Sequence, residues 1–230
     1  MNTHRILAVC ALAVAAGCAT PPAPTVSSTP ASTIALIGIP APSKFAVIIE
    51  KHAESGGSLE SSLFFASKMA TKSYELAAAL NTQPFAPAAE LTDGFAAALQ
   101  RPDRAVVRVA GPQANREDFV KDYAASRVAA DKYVDILPRT VGYWAESPTG
   151  AWRPWVYVDY RIVDARDGKV LGSGRIGTGP LPGGEDGVAI PFDNAARFPS
   201  FEALTENPAR AAAGLRAAIK QVAQALAAKI

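Results

Sequence analysis

Cysteine and histidine are scarce in this sequence, with two of each among 230 residues. Two cysteines exclude a disulfide-stapled miniprotein and a zinc site built from four cysteines. Charged residues make up only 19% of the chain and the formal net charge is +2, so the dense basic patch that nucleic-acid binding requires is lacking. Hydrophobic residues, at 49%, are plentiful enough to form a buried core, which excludes a wholly disordered chain.

The first 17 residues are typical of an export signal. An apolar run from Ile6 to Ala16 follows a single arginine and is too short to span a bilayer as a helix. The run ends in small residues directly before Cys18, which resembles the bacterial lipobox, where the chain is cut before the cysteine and the cysteine is acylated. The alternative is an ordinary secretory signal with Cys18 incidental. Because Cys10 is lost with the signal, Cys18 is expected to be the only cysteine of the mature chain, which favours acylation.

Acylated Cys18 is expected to anchor the protein in the outer membrane. Several acyl chains hold a protein firmly, since each buried CH₂ contributes about 0.8 kcal/mol. Ala19 follows Cys18 where enteric lipoproteins kept in the inner membrane carry aspartate, and this analogy predicts an outer-membrane anchor with the domain facing the periplasm.

The segment 18–42 has no charged residue and six prolines among serine, threonine and alanine. Such a composition cannot pack a core, so it predicts an extended tether, followed by a single periplasmic domain over 43–230. The apolar stretch Ile34–Ile39 is the exception within the tether. It could be a short strand of the domain, which leaves the boundary open by several residues.

Apolar periodicity predicts a mixed α/β fold. Strands or extended segments are predicted at 45–50, 105–110, 134–137, 140–145, 155–164 and 169–178, with a hairpin turn at Asp167-Gly168. Helices are predicted at 59–81, 90–100, 115–130 and from Asn207-Pro208 to the C-terminus. The expected architecture is a mixed β-sheet of about five strands flanked by helices, on which the amphipathic C-terminal helix packs.

Motifs for catalysis are sparse. The G-x-G-x-x-G match at 172–177 precedes Gly179-Pro-Leu-Pro182, which forbids the helix that dinucleotide binding needs, so a strand with glycines at a close approach is favoured. His52 is the one histidine outside the signal and is interpreted as a solvated loop residue. Asp159 is interpreted as the cross-strand partner of a basic residue. We therefore expect no enzyme activity, no cofactor and no metal site.

Aromatic residues cluster in the stretch from Tyr143 to Tyr160, and all three tryptophans of the chain lie in it. In the alternating strand 155–164, Trp155, Tyr157 and Arg161 fall on one face. Exposed aromatic rings beside arginine are typical of a protein-binding hot spot, or of stacking on sugar rings. The alternative is that another element covers this face and the rings belong to the core. The predicted partner-binding residues are Trp144, Trp152, Trp155, Tyr157 and Arg161.

Four segments resemble a recurring pattern, namely Ala130-Asp-Lys-Tyr-Val-Asp-Ile-Leu137, Val141-Gly-Tyr143, Val156-Tyr-Val-Asp-Tyr-Arg-Ile-Val-Asp164 and Asp167-Gly-Lys-Val-Leu171. They resemble the core of envelope lipoproteins related to the amino-terminal domain of TolB. That group includes the curli-secretion lipoprotein, the penicillin-binding-protein activator lipoprotein and auxiliary lipoproteins of ABC transporters. The resemblance covers about residues 45–178 and implies a mixed sheet flanked by helices that binds proteins. The long helix at 59–81 and the Gly/Pro loop at 179–187 depart from the pattern.

The expected function is that of a non-enzymatic outer-membrane lipoprotein, an accessory or docking subunit of an envelope assembly or transport complex. Peptidoglycan or glycan binding through the same rings is the alternative, and a hydrolase using His52 or a carboxylate pair is a third hypothesis. The expected partners are the outer membrane, reached through acylated Cys18, and an envelope protein complex, with no nucleic acid. Whether the chain forms a homo-oligomer is left open.

Overall fold

A computed structural model describes residues 32–42, 45–49, 59–110, 116–182 and 187–230. The predicted signal peptide, Cys18, the tether up to residue 31 and His52 lie outside the described residues. The predictions made for them therefore stay predictions.

Among the described residues, seven strands, more than the five or so expected, form one mixed sheet, which confirms the predicted fold class. They are β1 (Ser32–Ile37), β2 (Phe45–Ile49), β3 (Arg104–Val109), β4 (Lys132–Ala145), β5 (Arg153–Asp164), β6 (Val170–Thr178) and β7 (Gly187–Ile190). Their order is β3-β1-β4-β5-β6-β7, and β2 also pairs with β4. Because β5 occupies one side of β4 along its length, β1 and β2 share the other side, β1 at the start of β4 and β2 at its end.

Strand β1 lies in the segment for which composition predicts a tether. It pairs in parallel with both β3 and β4, and its residues 34–37 are buried. The sheet therefore begins before the predicted domain boundary at residue 43. The alternative that Ile34–Ile39 contributes a strand to the domain agrees with this arrangement.

In the part of the chain that the structure describes, four α-helices accompany the sheet, and most of the core lies between them and one face of it. They are α1 (Leu59–Asn81), α2 (Pro87–Leu99), α3 (Phe201–Thr205) and α4 (Pro208–Ala227). Helix α4 packs on β5 and β6 through a buried stripe that includes Leu215, Ile219 and Val222, as predicted. The predicted hairpin at Asp167-Gly168 is also confirmed, because β5 and β6 pair antiparallel and Gly168 has a φ of 72°.

The predicted helix at 115–130 is wrong for the described part, which begins at Arg116. Only Ala124–Ser126 form a turn of 3-10 helix, and Arg127 follows with a left-handed φ of 53°. The segment instead crosses the second face of the sheet, where the side chain of Asp135 accepts a hydrogen bond from the backbone N–H of Val120 at 2.9 Å. A side chain that binds the backbone in this way competes with helix formation.

The extended segments predicted at 134–137 and 140–145, which Pro138 was expected to separate, belong to one strand with a local irregularity. Strand β4 continues through this residue, and its register with β5 shifts between Pro138 and Thr140. Proline has no N–H to donate to the hydrogen bonds between strands, and it is tolerated at a bulge because those bonds are interrupted there. Further along, Gly142 allows β2 to approach closely, since a Cβ there would lie 1.9 Å from the carbonyl oxygen of Ala46.

Candidate functional site

The three tryptophans predicted to bind a partner are buried in the structure. Trp144, Trp152 and Trp155 are 7%, 1% and 3% exposed, respectively. Trp152 belongs to the helix-side core, with its ring centroid 5.4 Å from that of Phe201. For these three rings, the arrangement agrees with the alternative in which they are covered.

Two residues on either side of β7, Pro180 and Phe192, cover the other two tryptophans. The indole N–H of Trp155 donates a hydrogen bond to the carbonyl of Pro180 at 2.9 Å. Trp144 stacks on Phe192 with ring centroids 5.2 Å apart. The covering residues therefore belong to the segment that follows β6, up to residue 182, and to the segment that follows β7, rather than to a helix.

Tyr157 and Arg161 remain partly exposed. They lie on the same face of β5, and the guanidinium of Arg161 rests over the ring of Phe119 at 4.3 Å. The guanidinium of Arg175 rests over the ring of Tyr157 at 5.5 Å. Such contacts between a cation and an aromatic face hold the guanidinium groups in defined positions at the surface.

Asp159 lies beside Tyr157 and binds two arginines. Its carboxylate accepts hydrogen bonds from Nε of Arg139 at 2.7 Å and from Nε of Arg175 at 2.8 Å. Arg175 is its register partner on β6, so the predicted cross-strand basic partner is confirmed. Burial by itself raises the pKa of Asp159, but the hydrogen bonds and charges of Arg175 and Arg139 outweigh it, and the pKa lies below the ordinary value.

Asp135 is fully buried on the same face, on β4. It accepts hydrogen bonds from the guanidinium of Arg116, the hydroxyl of Tyr123 at 3.0 Å and the N–H of Val120. Burial, followed by the charge and hydrogen bond of Asp135, raises the pKa of the Tyr123 hydroxyl. Because all its contacts fix the crossing segment to the sheet, we assign Asp135 a structural role.

The sheet face that carries these groups, called the arginine face below, holds four arginines around two carboxylates. Arg116, Arg139, Arg161 and Arg175 surround the two carboxylates of Asp135 and Asp159. Sequence reasoning named only Arg161 among the four arginines. Counting residues back from the Asp167-Gly168 hairpin would have placed Arg175 near Asp159. Arg139 lies at the bulge of β4, where the alternation of side chains between the two faces of the strand is interrupted.

Two motifs considered for catalysis have structural explanations. The glycines of Gly172-Ser-Gly174-Arg-Ile-Gly177 lie inside β6, and a Cβ on Gly177 would lie 2.3 Å from Cβ of Tyr157. The predicted strand with a close approach is therefore confirmed. Asp164 and Asp167 accept hydrogen bonds from backbone N–H groups of the turn that they flank, as predicted. Within the described ranges, no group of three or more histidine, cysteine, aspartate or glutamate side chains could hold a metal ion.

A second surface feature is a cavity of about 740 Å³ between β2 and α1, called the apolar groove below. None of the described residues that line it is acidic or basic. Tyr74 and Ile48 at this groove are 78% and 36% exposed. The residues that line it are Ala41, Pro42, Phe45, Ala46, Val47, Ile48, Ala66, Met69, Ala70, Ser73, Tyr74, Ala77 and Pro87.

The helical spacing of α1 predicts a single apolar stripe that includes Ala66, Ala70, Ala77 and Leu80. Leu80 is buried in the core, as a core-facing stripe requires. Ala66 and Ala70 instead line the apolar groove and are exposed. The first half of this stripe therefore faces a cavity rather than the core.

The arginine pair of Asp159 leads to a prediction for its ionisation. Because the folded-state pKa is lowered, the ionised carboxylate stabilises the fold above the unfolded-state pKa of about 4, and this contribution is lost as the pH falls through the folded-state pKa. Arg175→Gln is expected to raise the pKa of Asp159, measured by the carboxyl ¹³C chemical shift during an acid titration. Arg108→Gln, which removes an arginine paired with Asp93 elsewhere, is the control. An equal pKa of Asp159 in both variants would contradict the assignment.

The sequence matches no protein-family model and no curated protein. A solved structure of a Xanthomonas campestris protein of the DUF330 family is similar at a TM-score of 0.46 and 12% identity, over 86% of this chain and 83% of that one. A hypothetical protein of Chlamydia trachomatis gives a TM-score of 0.33 and 11% identity, over 63% and 68%. The PelC dodecamer from Paraburkholderia phytofirmans gives a TM-score of 0.28 and 11% identity, over 84% and 86%.

These similarities are distant and concern the fold. None of the helices among the described residues combines the length and the apolar character needed to cross a bilayer.

Proposed function

We propose that this chain is a non-enzymatic outer-membrane lipoprotein, anchored through acylated Cys18, whose periplasmic domain docks on a protein complex of the envelope. The observation that supports docking is the arginine face. The side chains of Arg139 and Arg175 are about one-third exposed, at 35% and 32%. Tyr157 is partly exposed, and the guanidinium of Arg175 lies over its ring. The partly exposed guanidinium groups of Arg139 and Arg175 fit a partner that presents carboxylates.

The arginine face is already ordered before a partner binds. Asp159 holds one nitrogen of each guanidinium, while Arg139 also donates to the carbonyl of Glu117 at 3.0 Å and Arg175 to that of Pro182. A guanidinium has five N–H donors, so further donors of both groups are available for carboxylates of a partner. Side chains that are held in place lose less conformational entropy on binding, which favours a hot spot.

The test is crosslinking in cells of the C-terminally tagged full chain, followed by purification and mass spectrometry. The double variant Arg139→Gln/Arg175→Gln is expected to reduce recovery of the partner complex about tenfold, which corresponds to a loss of about 1.4 kcal/mol in binding. The matched control is Arg108→Gln, which removes an exposed arginine of another ion pair. Cys18→Ser is expected to reduce recovery as well, because the protein then lacks its anchor.

Equal recovery from the double variant and from Arg108→Gln would overturn docking through the arginine face. Recovery of the chain only with itself would identify a homo-oligomer instead of an accessory subunit. Pelleting of the purified protein with cell-wall sacculi tests the glycan alternative. Because the three tryptophan rings are covered, sugar stacking on this face would depend on Tyr157, and Tyr157→Ala would then abolish pelleting.

A further inference from the structure

The apolar groove shares no residue with the arginine face, and we propose that it binds one acyl chain of a membrane phospholipid. This activity is additional to the docking proposed above. The groove is bounded by β2 on one side and by the exposed alanine stripe of α1 on the other. Its volume of about 740 Å³ lies within the range of about 300–1,000 Å³ that is usual for small-molecule sites.

The chemistry of the groove fits a hydrocarbon chain, which needs no hydrogen bonds. Its walls carry alanine, proline, valine, isoleucine, phenylalanine and methionine side chains. Two of the described residues that line it carry a hydroxyl, Ser73 and Tyr74, both on α1. The hydroxyl of Ser73 is already occupied. It accepts from the N–H of Val47 at 3.2 Å and donates to the carbonyl of Met69 at 2.8 Å. Met69 adds a flexible and polarisable wall that adapts to a chain of variable shape.

A peptide strand is a poorer occupant than an acyl chain. An added strand gains its affinity from main-chain hydrogen bonds along a sheet edge. The N–H of Val47 on the outer edge of β2 is bound by Ser73, so this edge lacks a donor that strand addition would use. The hydrogen bond between Val47 and Ser73 does not prevent a hydrocarbon chain from contacting Ala66 and Ala70 of α1.

The membrane itself is the expected source of the chain. Thirteen residues lie between Cys18 and Ser32, so the tether spans at most about 50 Å when fully extended, and an anchored domain stays near the bilayer surface. This step rests on the anchor of the proposed function, whereas the chemistry of the groove does not.

The acyl chains on Cys18 are a less suitable source. Strand β1 begins beside Lys132 at the start of β4, whereas β2 pairs with Val141–Ala145 at its end. The distance along β4 from Lys132 to Val141 is about 30 Å, most of the reach of the tether. The Cys18 lipid would therefore have to leave the bilayer and stretch the tether along β4 to enter the groove.

Photocrosslinking tests the proposal with the full chain, prepared both acylated and as Cys18→Ser. Each protein is incubated with phosphatidylethanolamine and phosphatidylglycerol vesicles that contain a phospholipid with a diazirine in one acyl chain. Irradiation and peptide mass spectrometry are expected to place the label on β2 and α1 in both proteins. Ala70→Phe fills the groove and is expected to reduce this label about tenfold.

The matched control is Ala78→Phe, the same substitution at an exposed position of α1 that does not line the groove. It is expected to label within about twofold of the parent, as surface substitutions usually leave the fold intact. Circular dichroism verifies folding, and Ala66→Phe on the same stripe provides a second groove-filling variant. Arg139→Gln/Arg175→Gln is expected to label like the parent, so failure of docking and failure of lipid binding are distinguishable.

Four results would overturn the proposal. They are label spread evenly over the surface, equal labelling of the Ala70→Phe and Ala78→Phe variants, crosslinks between two copies through the groove, and label on Cys18→Ser but not on the acylated protein. The last result would show that the chain's own acyl group fills the groove.

Discussion

Asp135→Ala is expected to lower the free energy of unfolding by about 3–5 kcal/mol, because it leaves the buried charge of Arg116 without its partner. The side chains of Arg116 and Asp135 are only 6% and 0% exposed, so water cannot replace the lost carboxylate. The substitution also removes the acceptor of the Tyr123 hydroxyl and of the N–H of Val120. The segment that crosses the second face of the sheet is expected to detach first. Urea denaturation followed by circular dichroism measures the change.

Asp159→Ala is the matched control, since it removes a carboxylate from the same sheet face on the neighbouring strand. Its partners Arg139 and Arg175 are about one-third exposed, so the expected loss is about 1 kcal/mol or less. Similar losses for the two variants would contradict the structural role of Asp135.

Trp152→Ala is expected to cost about 3–5 kcal/mol, the range for removing a buried aromatic side chain from a core. Its ring is 1% exposed, contacts Phe201 edge to face, and lies under the ammonium group of Lys72 at 6.0 Å. The backbone of Trp152 also exchanges two hydrogen bonds with Phe198, at 2.8 and 2.9 Å. Loss of the ring therefore loosens the junction between β5 and the segment before α3. Thermal unfolding followed by circular dichroism measures the effect.

Tyr74→Ala serves as the comparison for Trp152→Ala, because Tyr74 is 78% exposed and its removal is expected to change stability by less than about 0.5 kcal/mol. A fully stable Trp152→Ala protein that had lost its envelope partner would contradict the core assignment. It would return Trp152 to the predicted docking residues.

The periodic elements of this fold could be predicted from the sequence, because each carries its own pattern. The alternation of β5 separates the buried Val156 and Val158 from the face with Tyr157, and the stripe of α4 places Leu215 and Ile219 in the core. Alternation assigns residues to two faces of a strand but does not show which face another segment covers. The burial of Trp155 depends on Pro180, which belongs to a loop without a recognisable period.

Elements that depend on distant contacts were left open or missed for the same physical reason. Strand β1 is short and bordered by prolines, so its composition resembles the tether, and only its two partner strands make it an inner strand. The spacing of Phe119 and Tyr123 fits a helix, but Asp135 on β4 holds this segment in an irregular path. The four residues of β7 are too few to show a pattern.

The pairing of β1 also determines an order of folding. Its register partners are Arg104 to Val109 on β3 and Lys132 to Val134 on β4, so β1 cannot be completed until the chain beyond Val134 is present. Closing such long loops costs entropy before any contact compensates for it, whereas β5 and β6 are joined by a tight turn. The β4–β5–β6 meander is therefore expected to form early and β1 to insert late. If the chain is exported from its N-terminus, as proposed, β1 emerges before β3 and β4 and stays unpaired until both have followed.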